Sequence, residues 1–396
     1  MIFQTLDDKS QCVGIYAQGE LFFDEIPQPL TKTWSYSGSL KEDANTEYAR
    51  LYLQGNGIEE VCPPQLKDEF DRVSRKMHAY KKSFELGKVD LREHCFFDLV
   101  PHGALVEFCE VKNQITQHVF ENYERPPNYD HLCAATKLLH KIKYQQLRID
   151  ASDCRRLFIN SGLRSQAQKL IKMPAYIDYN LFGTVTGRLT TRPRSFPILT
   201  MKRELRALVK PQNDWFVSLD YNGAEVRTLL ALSGQTQPQE DIHQWNLHNV
   251  FERPEMDREE AKTIFFAWLY NPDSTQIQTT YYDRKKVLDK YYDGEYINTM
   301  FHRKIAVEEW KALNYLIQST TADLVLERAG VIDEALKGTP SFVSHIVHDE
   351  IVIDFCDQDR KKLAEVKEIF SQNKLAKFMV NLKAGPNYYE METLTL

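Results

Sequence analysis

Two acidic residues that are far apart in the chain stand at the ends of short apolar runs. Asp220 follows residues 215–219, and Asp349 lies between the runs 342–347 and 351–355. Each run has the length and composition of a buried β-strand. A carboxylate at the end of a buried strand is costly to ionise unless cations or donors meet it. If these strands are neighbours, Asp220 and Asp349 can hold a pair of divalent cations, which is the chemistry of nucleotidyl transfer.

Cationic and aromatic residues recur at every fourth position of a further segment: Arg258, Lys262, Phe266 and Tyr270. On a helix they form one stripe about 18 Å long. The cations at one end can bind a triphosphate, and the rings at the other can stack on a base. Taken alone, such a stripe is more often a core face with solvated basic residues, and an isolated Asp is more often a turn or cap residue.

The elements that must position these residues can be predicted from periodicity. Residues 1–40 alternate apolar and polar positions, as strands do, whereas the three segments 66–84, 104–123 and 129–147 have helical periodicity, with a break at Pro126-Pro127. Asp257 is the expected N-cap of the helix that carries the stripe, and Asn271-Pro272 its stop. A long helix is predicted over 310–336, followed by a hairpin with His348-Asp349-Glu350 at its tip.

Seven short motifs carry a resemblance that extends over about residues 176–355. They are, in order, Thr186-Gly187-Arg188-Leu189, Asp220-Tyr221 with Glu225 and Arg227, Asp241-Ile242-His243, the 258–270 helix, Glu295-Tyr296-Ile297-Asn298-Thr299, the segment from Asn314 to Asp323, and His348-Asp349-Glu350. This order resembles the polymerase module of family A DNA polymerases, the bacterial DNA polymerase I type.

The resemblance implies an α+β right-hand fold with a palm built on an antiparallel sheet, fingers and a helical thumb. We expect five segments along the chain: a small β-rich N-terminal appendage (1–42), a helical thumb and approach to the palm (43–175), palm with the first catalytic Asp (176–240), fingers (241–300), and palm with the His-Asp-Glu hairpin (301–396).

The resemblance also implies roles for the acids and for one lysine. Asp220 and Asp349 would be catalytic residues that bind two Mg²⁺ ions, and Glu350 would support the metal site from its edge. One ion would lower the pKa of the primer 3′-hydroxyl, and the other would hold the triphosphate and stabilise the leaving pyrophosphate. Lys262 would be the general acid at that leaving group.

Further residues are implied to bind the incoming dNTP and the primer-template DNA. The phosphates would be bound by His243, Arg258 and Lys262. Phe266 would stack on the nucleotide, Tyr270 would border the templating position, and Glu225 would be a steric gate against ribonucleotides. DNA contacts are implied for four residues: Arg188, Asn314, Gln318 and His348.

The charge distribution agrees with a polyanionic partner. The net charge is −6, yet residues 137–210 contain sixteen Lys and Arg against four acids, a net of +12, which leaves −18 for the remainder. We predict that this basic span tracks duplex DNA and that binding weakens steeply with salt. A solvated helical face would show the same composition.

Composition also limits the cellular context. The seven cysteines form no C-x-x-C pair and are odd in number, which argues against a zinc ribbon or a disulfide framework. No apolar run approaches the roughly 18 residues of a membrane span. We therefore expect a cytoplasmic protein without a membrane partner. Its compactness suggests a phage or viral replicase, which would act in the cytoplasm of a bacterial host.

No D-x-E pattern of a proofreading exonuclease precedes the thumb, so we expect no 3′–5′ or 5′ nuclease activity in this chain. A separate exonuclease or a processivity factor could be a partner.

Two other functions stay open. A single-subunit RNA polymerase shares much of this plan but usually lacks an acidic gate such as Glu225 and has Met where Phe266 stands. A non-catalytic, polymerase-like DNA-binding accessory would have no need of two buried acids near a polyanion.

Overall fold

The computed structural model describes residues 1–395 apart from 10, 25, 39, 41–45, 153, 252–254, 272–273, 276 and 278. The chain divides into an N-terminal unit, Met1–Lys137, and a C-terminal unit, Leu138–Leu396. The predicted boundary at 42/43 and Pro272 as a helix stop lie outside the described residues. No helix within the described ranges is long and apolar enough to cross a membrane.

The N-terminal unit begins with strands and continues with helices. Its elements are β1 (Phe3–Asp8), β2 (Gln11–Ala17), β3 (Glu20–Phe22), β4 (Lys32–Thr33), β5 (Glu47–Tyr48), α1 (Ala49–Tyr52), α2 (Ile58–Val61), α3 (Pro64–Leu86), α4 (Phe96–Leu99) and α5 (His102–Asn122). The helix α6 (Tyr129–Tyr144) spans the division between the units.

Alternation of side chains explains the small sheet β1-β2-β3. Phe3 and Ile15 are buried in one cluster, whereas Leu6 and Tyr16 are buried in another that includes Leu105 of α5. Successive residues of a strand point to opposite faces, so both faces of the sheet are covered. The predicted β-rich start of the chain is confirmed by these strands.

Two long antiparallel helices form the second core of this unit. Residues 111, 115 and 119 of α5 recur at every fourth position and are buried against Phe70 and Val73 of α3. Such a stripe is what the helical periodicity predicts. The three predicted helices correspond to α3, α5 and α6 with ends shifted by two or three residues at most, and the two prolines lie between α5 and α6.

The C-terminal unit contains the larger sheet and most of the remaining helices. Its elements are β6 (Arg148–Ile149), α7 (Ser161–Ile171), β7 (Tyr179–Asn180), β8 (Thr190–Thr191), β9 (Val209–Lys210), β10 (Trp215–Tyr221), α8 (Ala224–Leu232), α9 (Ile242–Asn249), α10 (Arg258–Tyr270), α11 (Arg284–Tyr291), β11 (Tyr296–Asn298), β12 (Lys304–Ala306), α12 (Glu309–Ala335), β13 (Phe342–Val347), β14 (Glu350–Phe355), α13 (Lys362–Ser371), β15 (Val380–Gly385) and β16 (Glu392–Thr393). The described residues also include four connecting 3₁₀ helices: Arg155–Phe158, Ile198–Thr200, Arg203–Leu208 and Asp357–Asp359.

The larger sheet has five antiparallel strands in the order β13-β14-β10-β15-β16. The central strand β10 is a nearly continuous apolar run because it is covered on both faces and paired on both edges. Its register places Asp220 beside Glu350 of β14 and beside Asn381 of β15. The predicted hairpin β13–β14 is confirmed, with residues 348 and 349 between its strands.

Helices α8 to α10 share a core with α11, α12 and the hairpin β11–β12. Asp257 caps α10 as predicted, since its carboxylate accepts a hydrogen bond from the amide of Glu260 at 2.8 Å. The long helix predicted over 310–336 is α12, which is buried along most of its length. An α+β fold is thereby confirmed.

Candidate active site

A cleft of about 500 Å³ lies at the end of β10. It is lined by the end of that strand, the start of α8, parts of α9, α10 and α12, the turn between β13 and β14, and residues 187–189. Nine of the predicted site residues line it: Arg188, Asp220, Glu225, His243, Arg258, Lys262, Phe266, His348 and Asp349. Residues separated by up to 161 positions are therefore collected in one place.

The two acids of the cleft lie near each other, and neither forms an ion pair with any residue that the structure describes. Burial and the negative charge of Asp349 raise the pKa of Asp220 to about 7, and the amide of Asn381 donates to it at 3.3 Å. Burial, followed by the charge of Glu225, raises the pKa of Asp349 above its usual range. Two desolvated carboxylates that disfavour each other's charge form a site that a divalent cation stabilises.

This pair fits magnesium better than a metal that needs a full protein shell. No group of three His, Cys, Asp or Glu with metal-binding geometry occurs among the described residues. Mg²⁺ is usually bound through one or two carboxylates and completes its octahedron with water and substrate phosphates. Asp220 and Asp349 would supply such a site.

Glu350 is adjacent to the pair, but its carboxylate is engaged elsewhere. It accepts hydrogen bonds from the hydroxyls of Ser218, at 2.5 Å, and Tyr388, at 2.8 Å, and it does not line the cleft. Its role as a metal ligand remains a prediction; in this arrangement it contributes negative charge beside Asp220.

The stripe on α10 projects into the cleft over three of its four members. Arg258, Lys262 and Phe266 line the cleft, and the Tyr270 ring stacks on that of Phe266 with centroids 5.8 Å apart. Arg258 forms two hydrogen bonds to Asp241, at 3.0 and 2.8 Å. Within the described part of the chain Lys262 has no hydrogen bond or ion pair, so its ammonium group is available to an anion.

His243 is held in the neutral form by its surroundings. Burial and the nearby cations Arg258 and Lys262 lower its pKa to about 4 despite the charge of Asp241. Its Nδ1 atom is buried and has no hydrogen-bond partner among the described residues. Gly223, at φ +66°, permits this close approach, because a Cβ there would lie 2.4 Å from Ile242 and 3.4 Å from the His243 ring. His243 lines the cleft, so its imidazole is available to a ligand there.

Glu225 lies in the first turn of α8 and is held from two sides. Its carboxylate accepts hydrogen bonds from the guanidinium of Arg188 and from the hydroxyl of Tyr270. Burial and the Glu225 charge raise the pKa of Tyr270 well above its usual range, so the phenol remains a donor. The predicted gate Glu225, the predicted DNA contact Arg188 and the predicted template-bordering ring of Tyr270 thus form one connected group.

Two predicted DNA-binding residues lie outside the cleft lining. Asn314 and Gln318 are half-buried on α12 and are hydrogen-bonded to each other. Thr321 and Ala322, about one turn beyond Gln318 on that helix, line the cleft. His348 is exposed, in the left-handed region at φ +57°.

Several residues of the site were missed by sequence reasoning. Asn381 contacts Asp220, and Asn222 donates to Asp241 at 2.8 Å while it accepts from the buried Arg227 at 3.1 Å. Asn222 directly follows the Asp-Tyr motif, and this position was the available signal. Asn381 gave none, because only the pairing of β15 with β10 brings it near.

Comparisons with known proteins confirm the fold. No protein-family model matches the chain, and no curated protein does. Among solved structures, the POL domain of Pol1 from M. smegmatis, in complex with DNA primer-template and dNTP, matches with a TM-score of 0.58 over 73% of this chain and 76% of that one. The sequence identity is 13%, so the similarity establishes a shared polymerase-domain fold. The predicted resemblance to a family A polymerase module is confirmed at that level.

Proposed function

We propose that this chain is a DNA-templated DNA polymerase that adds dNTPs to a primer 3′ end. The observation that carries the proposal is the convergence of Asp220 and Asp349 in a cleft that also presents Arg258, Lys262 and His243. Two carboxylates for metal ions and a cationic wall for a triphosphate are what nucleotidyl transfer requires. The polymerase-domain fold supports the same conclusion.

In the proposed reaction the primer O3′ attacks the α-phosphorus, and the bond from that phosphorus to the leaving pyrophosphate breaks. Two Mg²⁺ ions held by Asp220 and Asp349 would lower the pKa of the 3′-hydroxyl, whose proton is lost to water, and would neutralise the charge of the pyrophosphate. Arg258 and His243 bind triphosphate oxygens. Lys262 Nζ donates a proton to the departing pyrophosphate oxygen and so prevents the build-up of charge there.

Selection of the sugar is assigned to Glu225. Its carboxylate is held by Arg188 and Tyr270, and a side chain with two such contacts cannot easily swing away from a ribose 2′-hydroxyl. Phe266 stacks on the incoming base, with Tyr270 bordering the templating position. A gate of this kind favours DNA over RNA synthesis, and Glu225→Ala is expected to admit ribonucleotides. Efficient NTP incorporation by the unaltered chain would favour an RNA polymerase instead.

The DNA is proposed to lie along Arg188, Asn314, Gln318 and His348, with the basic span supplying phosphate contacts. Among the described side chains of that span, nine basic residues are exposed: Lys141, Arg148, Arg155, Arg164, Lys169, Lys172, Arg194, Lys202 and Arg203. Helix α7 packs on the 3₁₀ helix Arg203–Leu208, so several of these charges come from adjacent elements. The division into appendage, thumb, palm and fingers belongs to the same proposal.

A primer-extension assay with the purified chain, primed template, Mg²⁺ and dNTPs tests the function. Asp220→Ala and Asp349→Ala are expected to abolish extension, whereas Asp68→Ala, at an exposed acid of α3, serves as the matched control. Retained extension in either cleft variant would exclude the proposed mechanism. Mg²⁺-dependent turnover of dNTP by the unaltered chain would exclude a non-catalytic accessory.

Three finer parts of the proposal depend on the sequence alone: no nuclease activity in this chain, a role as a phage replicase, and a separate exonuclease or processivity factor as partner. The exonuclease assay is degradation of a labelled primer in the absence of dNTPs. A pull-down from the source cell with and without residues 1–40 would identify a partner that binds the β-rich segment.

A further inference from the structure

The turn that carries Arg188 is closed on itself and needs glycine at one position. The amide of Gly187 donates to the carbonyl of Thr184 at 3.2 Å, and the Thr184 hydroxyl donates to the carbonyl of Arg188 at 2.9 Å. Gly187 has φ +77°, in the left-handed region that residues with a Cβ rarely adopt. The direction in which Arg188 leaves the chain therefore depends on how this turn is held.

A buried guanidinium lies directly against Gly187. A Cβ at that position would be 2.6 Å from Nη2 of Arg303, 2.7 Å from its Cζ and 3.1 Å from its Nε. These short distances to three atoms of one planar group mean that the turn rests on the guanidinium itself. Any side chain at 187 would push the turn and Arg303 apart.

Arg303 is fixed from the other side by a buried acid. Its Nε and Nη2 donate to the two carboxylate oxygens of Asp323 at 3.0 and 2.7 Å, and the side chains are 7% and 1% exposed. Two parallel bonds to one carboxylate fix the plane of the guanidinium. Asp323 follows Ala322, which lines the cleft, so the ion pair connects α12 to the turn.

The backbone of Arg303 is restrained as well. Thr299 and Arg303 exchange hydrogen bonds across the connection of β11 and β12: the Thr299 amide donates to the Arg303 carbonyl at 3.0 Å, and the Thr299 hydroxyl accepts from the Arg303 amide at 3.2 Å. Backbone and side chain of Arg303 are thus both held before they meet the turn.

We propose that Arg303 is a positioning residue for DNA binding: paired with Asp323, it supports the 184–188 turn so that Arg188 projects into the cleft. This inference rests on the proposed polymerase function, and specifically on Arg188 as a DNA contact. Arg303 is buried and acts on the primer-template only through Arg188.

The test is a double-mutant cycle that combines Arg303→Lys with Arg188→Ala. Lysine keeps the charge but has no planar face and cannot form the two parallel bonds. In the otherwise unaltered chain, Arg303→Lys is expected to raise the KM for primer-template about tenfold with a smaller change in kcat. In the Arg188→Ala background the same substitution should change KM less than twofold.

Two further variants keep the result interpretable. Gly187→Ala leaves the ion pair in place but crowds the guanidinium. It should raise the KM for primer-template as Arg303→Lys does, and this increase should disappear in the Arg188→Ala background. Gly187→Ala replaces Arg303→Lys in the cycle if the latter variant does not fold. Arg284→Lys is the control, because Arg284 binds the carbonyls of Trp268 and Asn271 at the end of α10. Its effect should be additive with Arg188→Ala.

The outcomes separate the inference from the function on which it rests. A tenfold increase in the KM for primer-template that persists in full in the Arg188→Ala background would overturn the positioning role. A KM that neither Arg303→Lys nor Gly187→Ala changes would overturn it as well. An unaltered chain that neither extends primers nor binds primer-template by fluorescence anisotropy would instead refute the proposed function. Extension by the unaltered chain together with loss of the Arg303 effect in Arg188→Ala supports both.

Discussion

Replacing Asp220 by Asn should stabilise the metal-free protein at alkaline pH. Burial and the charge of Asp349 raise the pKa of Asp220 to about 7, from the usual 3.8 of an aspartic acid. The folded chain therefore binds this proton more tightly than the unfolded chain does. Below about pH 4 the carboxyl is protonated in both states and costs nothing. As the pH rises towards 7, the unfolded chain loses the proton first, and the native state becomes progressively less stable.

The magnitude follows from the two pKa values. A tenfold difference in proton affinity corresponds to about 1.4 kcal/mol, so the full penalty above pH 7 is about 4 kcal/mol. At pH 5 only about 1.7 kcal/mol of it has developed. Asn cannot ionise and is free of the penalty. The free energy of unfolding of Asp220→Asn minus that of the unaltered chain should therefore increase by about 2.5 kcal/mol between pH 5 and pH 8.

Urea unfolding followed by tryptophan emission measures this difference. Four of the five tryptophans lie in the C-terminal unit, and a Trp34→Phe background removes the fifth, so the signal reports the unit that contains Asp220. The samples contain EDTA, and Asp289→Asn, at an exposed acid of α11, is the matched control, whose difference should not vary with pH in this way. Added Mg²⁺ should stabilise the unaltered chain at pH 8 more than the Asn variant. A difference that is flat or falls with pH would refute the assignment of a destabilising, desolvated carboxylate at 220.

Three other measurements address the surroundings of the pair. Tyr388→Phe removes one of two donors to the Glu350 carboxylate and should lower the free energy of unfolding by about 1–3 kcal/mol. Tyr389→Phe, at an exposed ring, is the control and should leave the free energy of unfolding unchanged. Equal losses of stability in both variants would contradict this role of Tyr388. Changing the exposed Lys202 and Arg203 to Ala should reduce the slope of log association constant against log salt concentration for primer-template binding by about 2. An unchanged slope would show that these two residues do not contact the DNA phosphates. The equilibrium affinity for a dNTP should weaken at least about tenfold, or by about 1.4 kcal/mol, when EDTA replaces Mg²⁺. Equal affinities with EDTA and with Mg²⁺ would contradict a triphosphate that is bound through metal ions.

Local patterns were sufficient to predict the elements of the site. The apolar run that ends at Asp220 and the two runs around Asp349 became β10, β13 and β14, because buried strands and their turns have short-range signatures. Helix α10 was predicted from its N-cap Asp257 and its four-residue spacing. These signals lie within a dozen residues and need no knowledge of tertiary contacts.

The partners of the site residues could not be predicted in the same way. Asn381 reaches Asp220 only because β15 pairs with β10, and Tyr388 reaches Glu350 only because the chain after β15 returns to the sheet. Strand order and the direction of a side chain depend on contacts over more than 30 residues, for which a single sequence has no periodic signal. The orientation of Glu350 towards Ser218 and Tyr388 is a consequence of such contacts.

The cations of the cleft have different amounts of charge to offer a ligand. Arg258 is paired with Asp241. Burial alone would raise the pKa of Asp241, but the hydrogen bonds from Arg258 and from other donors outweigh burial and hold this pKa below its usual range. Arg188 is paired with Glu225. Lys262 has no such partner among the described residues. From the sequence alone, the three basic residues could not be distinguished.

Under the proposed function, this difference predicts that metal and nucleotide bind the cleft together. His243 is neutral near pH 7, since its pKa is about 4, and two of the cations are already balanced by acids. A triphosphate would then meet little more than the Lys262 charge, while Asp220 and Asp349 would repel it. Divalent cations between the carboxylates and the phosphates reverse that repulsion, because each ion is attracted by both groups. Under the proposed function, such a cleft would favour a metal-bound nucleotide over either component alone.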